Sequence, residues 1–390
     1  PEVIGAALGL GTSGQVRYIT PRLNFQRGEA HVRRVLRETA EEMGKSRGDA
    51  DSAIDIGLQA LRDFRDAIDA RGAEIVSGLP EEQMAFVVIG RPYTLYDSAV
   101  NMQVGQRIRD LGILPIPQDF LPLASEDPSP EWVNAYSRQV QKKLQAARIV
   151  RHDPRLRAIV LTYFGCGPDS FANPFVKEEL GEPCYVMQID EHTADAGVIT
   201  RMEAFADTAA AITVSERERP IRTSTTSMAE LAQRGTRVWI PDLEGSAHVM
   251  AAAFRAFGVN AAVLPRSPDP GLNLARKAIS EDVCLPSLVT AEDMLWRTVQ
   301  KDFDPAREAF FQGSSAGPCR YGMYSRLQRR ILDHKGLHET EMVSLGLASL
   351  HGGLGPAPVV LTFQGVLAYD MIQKMLHRTR PYEIEEGACQ

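Results

Sequence analysis

Three cysteines stand where this chain could do chemistry. Cys166 lies in Phe164-Gly165-Cys166-Gly167-Pro168, Cys284 in Val283-Cys284-Leu285-Pro286, and Cys319 in Gly317-Pro318-Cys319-Arg320. Each sits among turn formers after or near an expected strand. In open α/β sheets, ligands bind beyond the carboxyl ends of the strands. Glycine and proline fix the backbone there, and glycine leaves room for a bulky inorganic group. Amides of a glycine-rich turn can donate hydrogen bonds to cluster sulfides and stabilise their negative charge. The residue types therefore suit thiolate ligation by loops that face a shared cleft. Spacing does not decide the matter. No Cys-x-x-Cys pair occurs, so neither a ferredoxin-type nor a zinc-ribbon pattern is present. The other reading is three buried structural thiols in tight turns, since unpaired Cys is often buried.

The elements that must position these thiols read as α/β. From Ala85 the run Ala85-Phe86-Val87-Val88-Ile89-Gly90 has the continuous apolar character of a buried parallel strand. A helix over Val100–Leu111, stopped by Gly112, leads to a strand at Ile113–Ile116. A helix over 131–150, the strand Ala158–Tyr163, a helix near 171–180 and the strand Cys184–Ile189 complete a first half. The second half repeats this order in coarse form. Arg237–Ile240, Ala261–Leu264 and Ala309–Gln312 read as strands. Helices are expected at Ala247–Phe257, near 290–300, and at 322–335. The Cys166 turn then corresponds to the Cys319 turn, and Phe120-Leu121-Pro122 to Cys284-Leu285-Pro286.

The expected fold is two similar flavodoxin- or Rossmann-like α/β domains with mainly parallel sheets, plus an N-terminal helical segment. Residues 1–80 form that segment, with a first α/β domain over 81–206, a polar linker over 207–236 and a second α/β domain over 237–390. Residues 1–28 read as a Gly-rich irregular stretch. Gly9-Leu10-Gly11-Thr12-Ser13-Gly14 fits G-x-G-x-x-G but lacks the following helix of a dinucleotide site, so a loop is expected. Two amphipathic helices over 29–45 and 49–72 follow. Ile54, Leu58, Leu61, Phe64 and Ile68 give the second its apolar stripe, which is expected to pack on the next domain.

A length of 390 residues exceeds one ordinary core. The net charge of −7 argues against nucleic acid as the main partner. No apolar run reaches the roughly 18–20 residues of a membrane span, so no membrane partner is expected. Pro1-Glu2-Val3 shows no basic secretory n-region. The chain starts without Met, so either a Met was removed or the sequence is a piece of a longer polypeptide. Five cysteines, an odd number, are too few for a disulfide scaffold, and a reducing cytoplasmic location is expected.

Longer blocks add a resemblance. They are Gly90-Arg91-Pro92-Tyr93 with Asp97 and Asn101, Asp119-Phe120-Leu121-Pro122, and Phe164 to Ser170. The segment from Asp190-Glu191-His192 to Arg201, Cys284-Leu285-Pro286, Gly317 to Gly322, and Arg380-Pro381-Tyr382-Glu383 complete the set. Together they resemble the dehydratase-like region of the large CoA-enzyme activase-related proteins. Those are relatives of 2-hydroxyacyl-CoA dehydratases, benzoyl-CoA reductases and double-cubane cluster proteins. The likeness covers nearly the whole chain from around Thr20 onward.

The resemblance implies an iron–sulfur protein in which Cys166, Cys284 and Cys319 bind a [4Fe–4S] cluster with one open iron. That cluster stands alone or forms part of a double cubane. A six-thiolate double cubane would need cysteines from another chain or protomer, because the larger proteins carry further Cys-Pro motifs upstream. The implied partner is an ATP-dependent activase that delivers low-potential electrons. No G-x-x-x-x-G-K-[ST] loop of a nucleotide site occurs in this chain. A second dehydratase-like subunit or a homodimer is a further implied partner. The implied chemistry is reductive or radical, in anaerobic metabolism, on a small substrate such as a 2-hydroxyacyl-CoA, by a lyase or reductase component.

Other residues carry two readings each. Asp190, Glu191 and His192 either move protons near the cluster or form a solvated loop capping the next helix. Asp195 and Arg201 could form a structural pair. Arg91 either meets an anionic group or pairs with Asp97 or Asp119. Tyr93 and Tyr96 read as packing. Arg320 would offset thiolate charge beside Cys319. His248 reads as a cap or core group, and Lys374, Arg378 and Arg380 as a solvated helix face. Cys184 reads as a core thiol and Cys389 as a mobile thiol in an acidic tail. Two rival functions stand beside the enzyme: a noncatalytic partner subunit or fragment of a larger activase–dehydratase assembly, and a zinc-binding or metal-free α/β binding protein, with His192 as a fourth zinc ligand.

Overall fold

The computed structural model describes residues 2–10, 17–123, 137–163, 167–181, 183–190, 192–193, 195–211, 226–279, 283–314, 319–345 and 352–389. Gly11 to Gly14 of the G-x-G-x-x-G stretch, Cys166, Glu191 and the run Ser215 to Thr225 lie outside these residues. The chain divides after Leu79 into two compact units.

The first unit is helical. Helix Glu29–Glu42 is followed by helix Arg47–Ser77, which Ser46 caps by accepting from the Asp49 amide. Ion pairs Arg33–Asp55 and Arg37–Asp51 join the two helices. Ile54 is buried, whereas Phe64 is exposed, so the stripe read from the sequence is only partly covered. The N-terminal stretch expected to be irregular holds a helix at Glu2–Leu8. Its Ala and Leu content favours that conformation.

The second unit contains two four-stranded parallel sheets. Strands β1 (Ala85–Ile89), β2 (Leu114–Pro117), β3 (Leu156–Tyr163) and β4 (Tyr185–Ile189) form the first, in the order β2-β1-β3-β4. Strands β5 (Arg237–Ile240), β6 (Asn260–Val263), β7 (Glu308–Gly313) and β8 (Glu341–Leu345) form the second, in the order β6-β5-β7-β8. The two orders are the same, as expected for two similar Rossmann-like halves. Strand β8 was not expected. Its Glu-Met-Val-Ser-Leu sequence mixes polar residues into a short run, and the β7 pairing makes it a strand.

Every residue of β1 is buried. Phe86, Val88, Ile159, Leu161 and Ile189 build one face of the first core, against Ile108 and Val198. Val238, Ile240, Ala309, Phe311 and Val343 do the same in the second, against Ala251 and Phe254. Burying each large side chain contributes about 1.5–3 kcal/mol. The order switches direction between β1 and β3, and again between β5 and β7. Crevices at the carboxyl ends of such switch points are where doubly wound sheets take ligands.

Candidate functional site

The carboxyl end of β3 leads to Gly167, the N-cap of helix Pro168–Leu180. Gly167 adopts φ 57° and ψ −136°, a conformation that side chains strongly disfavour. The carboxyl end of β7 leads to Cys319, the N-cap of the short 3-10 helix Arg320–Met323 that continues into helix Tyr324–His334. Cys284 is itself the N-cap of helix Leu285–Thr298, with Pro286 in its first turn. The amino ends of helices point partial positive charge at their surroundings and favour thiolate.

These amino ends converge. Tyr324 is buried, with its hydroxyl 2.7 Å from the Cys284 sulfur. Its ring stacks on Phe171 at 5.5 Å and meets Tyr321 at 5.3 Å. Arg320 donates to the Ser170 hydroxyl at 3.1 Å, and Ser170 donates to the Gly167 carbonyl. Further along, Arg330 and His334 both meet Glu178, and Arg330 lies over the Phe175 ring. Residues 170, 171, 175 and 178 therefore meet 320, 324, 330 and 334 in ascending order. The two helices run side by side in the same direction, with their amino ends together. Gln328 donates to Thr290 and ties in the helix that Cys284 begins.

Burial raises the Tyr324 phenol well above the ordinary tyrosine value, and the hydrogen bond to Cys284 and the nearby charges of Cys284 and Cys319 raise it further. Arg320 acts in the opposite direction. Both cysteines are thus within electrostatic reach of one hydroxyl. Burial also raises the Tyr321 phenol.

A second polar cluster lies beneath the Gly167 turn. Lys143 is 0 % exposed and Asp169 is 2 % exposed. Lys143 Nζ stands 3.1 Å and Arg91 Nε 2.9 Å from the same oxygen, Oδ2 of Asp169. The other Asp169 oxygen is buried without a hydrogen-bond partner. Burial pulls the Lys143 ammonium down, Asp169 opposes this, and Arg91 adds to it. Lys143 occupies a core phase of helix Arg138–His152, between Val140 and Ala147.

Arg91 therefore pairs with Asp169 and not with Asp97 or Asp119. Strand β1 is the neighbour of β3, so its end faces the turn that follows β3, whereas Asp119 follows β2. Asp119 takes Lys142 and the Tyr96 hydroxyl instead, and Asp97 accepts from the amides of Ala99 and Val100. Tyr96 is accordingly a half-exposed hydrogen-bonding group rather than packing.

Asp190 accepts from the His192 amide and the Thr193 hydroxyl, in a turn that precedes helix Asp195–Ala209. His192 is exposed. Arg201 hydrogen-bonds Tyr185. Cys184 is only partly buried, because it precedes the edge strand β4. Cys389 is held, not loose: its amide and that of Gly387 donate to the Glu383 carboxylate. Helix Asn273–Ala278 intervenes between β6 and Cys284, whereas Phe120 ends the 3-10 turn that follows β2 directly. Among the described residues no group of three His, Cys, Asp or Glu side chains could hold a metal ion. Cys284, Cys319 and Arg320 are brought together, and Cys166 lies outside the described residues next to Gly167.

Sequence reasoning missed Tyr324, Lys143 and Asp169. Lys143 carried a signal, a charged residue in the apolar phase of a helix. Tyr324 carried none beyond its place five residues after Cys319.

Fold and site together define a chain of two doubly wound α/β halves with thiols at converging helix amino ends. Residues 1–121 match the family model described as the CoA enzyme activase uncharacterised domain. The match ends before Cys166, Cys284 and Cys319. No curated protein and no solved structure gives a significant match to the chain. No helix among the described residues is long and apolar enough to cross a membrane.

Proposed function

We propose that this chain is an iron–sulfur protein of the 2-hydroxyacyl-CoA dehydratase kind, served by an ATP-dependent activase. It would work in reductive or radical chemistry on a small substrate, an acyl-CoA. The observation that carries the reading is the convergence of Cys284 and Cys319 on Tyr324, beside the turn that follows Cys166. The donor set fits. Cysteine thiolates at helix amino ends are the ligands iron–sulfur clusters use, and the local dipoles favour their ionised form. Cys166, Cys284 and Cys319 would hold a [4Fe–4S] cluster. Such a cluster, when bound, supplies one-electron transfer at low potential.

The chain's own residues would do the rest. Tyr324 holds the Cys284 sulfur by its hydroxyl and fills the space between the halves with its ring. Arg320 sets a positive charge beside Cys319 and ties that turn to Ser170. Gly167 gives the turn after Cys166 a shape that a side chain would prevent. Arg91 and Lys143 share one carboxylate under that turn and fix Asp169 beneath it. The match of residues 1–121 supports an activase-related setting.

The test is anaerobic purification with assay of iron, acid-labile sulfide and zinc, for the parent chain and for Cys166→Ala, Cys284→Ala and Cys319→Ala. Stoichiometric iron that each substitution removes supports the reading. A chain that takes up no iron on anaerobic reconstitution overturns it, and stoichiometric zinc would assign the thiols to zinc instead.

A further inference from the structure

Strand β7 carries a primary amide into the interior of the second half. Ala309 and Phe311 belong to the core shared with Ala251 and Phe254, so the alternation of a strand sends Phe310 and Gln312 to the other face. Gln312 is 0 % exposed, and neither its Nε2 nor its Oε1 has a hydrogen-bond partner within the chain. The Tyr321 hydroxyl lies near enough for this amide to favour its ionised form, but without the geometry of a hydrogen bond. Native folds rarely leave a buried amide unserved, so such a group points to something that serves it.

A cavity of about 10 Å³ adjoins the amide. Its wall includes Thr290, Gln312 and Gln328 on the polar side and Trp239, Met294 and Phe310 on the apolar side. The Thr290 hydroxyl donates to the Pro286 carbonyl and accepts from Gln328 Nε2 at 3.3 Å. A hydroxyl oxygen has two lone pairs, so one remains for a further donor. Among the described residues no charged side chain lines the cavity.

We propose that this cavity is the binding site of one internal water, which bridges the Gln312 amide and the Thr290 hydroxyl. Size, polarity and charge agree. A single water needs roughly 10–15 Å³ and two to four polar partners. It accepts from the Gln312 N–H group and donates to the Thr290 oxygen and to Gln312 Oε1. Cavities that stay dry are apolar all round, and this one has an amide in its wall. An ion would be left uncompensated by neutral walls. A larger molecule does not fit the volume.

The water joins three elements. Gln312 stands on β7, Thr290 on helix Leu285–Thr298 and Gln328 on helix Tyr324–His334. Thr290 follows Cys284 by six residues and Gln328 follows Tyr324 by four, so the site lies between one and two turns below the Cys284–Tyr324 contact. The bridge therefore braces the two helices beneath that contact. It does so whether or not the thiols hold iron.

The test is a crystal structure of the full chain that resolves ordered water, joined to oxygen-17 relaxation dispersion in solution. The crystals should show one water within hydrogen-bond distance of both Gln312 and Thr290. Gln312→Met/Thr290→Val keeps the side-chain shapes and removes both partners. That variant should lose the ordered water and show one long-lived water fewer in solution. A Gln312 amide turned to bond Tyr321 or Gln328 directly, with no water between, overturns the proposal. So does an equal count of long-lived waters in parent and variant. If the double variant does not fold, the parent crystals alone decide, by the presence or absence of that water.

Discussion

The Tyr324 hydroxyl and the Cys284 sulfur, 40 residues apart in sequence, lie 2.7 Å from each other. Tyr324 begins the helix that follows the Cys319 turn, and Cys284 caps another. The contact therefore sets two of the three candidate thiols around one group. It also joins the halves, because the same ring stacks on Phe171 of helix Pro168–Leu180.

Tyr324→Phe removes the hydroxyl and keeps the stack. In metal-free protein it should cost about 1 kcal/mol, the usual net value of one hydrogen bond. Tyr324→Ala should cost about 3–5 kcal/mol, because it also leaves a cavity. The pH dependence has a definite sign. Burial, reinforced by Cys284, raises the folded-state value of the phenol. Its contribution is present below the unfolded value of about 10 and is lost as pH rises toward the raised folded value. Urea unfolding at about pH 8 and about pH 11 should show a steeper alkaline loss for the parent chain than for Tyr324→Phe. Equal slopes would contradict this placement of the phenol.

The Asp169 carboxylate carries two cations, and Lys143 is wholly buried. Asp169→Asn leaves both charges facing a neutral group. The expected loss is about 3–5 kcal/mol, as for a broken buried pair. Lys143→Met should cost less, since it removes a charge that burial penalises. The Lys143 value is depressed, so between its folded value and about 10.4 the unfolded chain binds more protons. The parent chain should therefore gain stability relative to Lys143→Met as pH rises through that window. Denaturant titrations across that range would refute the assignment if the difference stayed constant.

The strands were legible because burial on both faces of a parallel sheet demands an unbroken apolar run, as in Ala85–Ile89. Strand β8 was hidden because Glu341 and Ser344 break that run. The identical order of the two sheets could be suspected from the repeated strand–turn pattern, with glycine and proline beside Cys166 and Cys319. The thiol–phenol contact could not be suspected. It depends on the parallel lie of two helices from different halves, set by pairs such as Arg320–Ser170 and Arg330–Glu178 that no local spacing encodes. The partner of Arg91 failed for the same reason: strand order, not sequence distance, chose Asp169 over Asp97.

Gly313 ends β7 directly under Tyr321. A Cβ there would lie 2.5 Å from the Tyr321 hydroxyl and 3.2 Å from the ring. Gly313→Ala should cost about 1–3 kcal/mol by overpacking. Tyr321→Phe removes the nearest atom, so the double variant should recover part of the loss. A double-mutant cycle with a coupling of about 0.5 kcal/mol or more would confirm the contact, and strict additivity would deny it.

The last prediction separates ligand thiols from bystanders. Cys184 precedes β4, at the amino end of the first sheet. The Gly167 turn follows the carboxyl end of β3, and β3 pairs parallel with β4. Cys184 and the Cys166 turn therefore lie toward opposite ends of that sheet. Cys389 is held by Glu383 in a turn after the C-terminal helix. Cys184→Ala and Cys389→Ala should therefore keep full iron after anaerobic reconstitution. Cys284→Ala and Cys319→Ala should lose it, while their unfolding in the metal-free state changes by no more than about 1–2 kcal/mol. Iron that follows Cys184 and ignores Cys284 would move the site away from the converging helix ends.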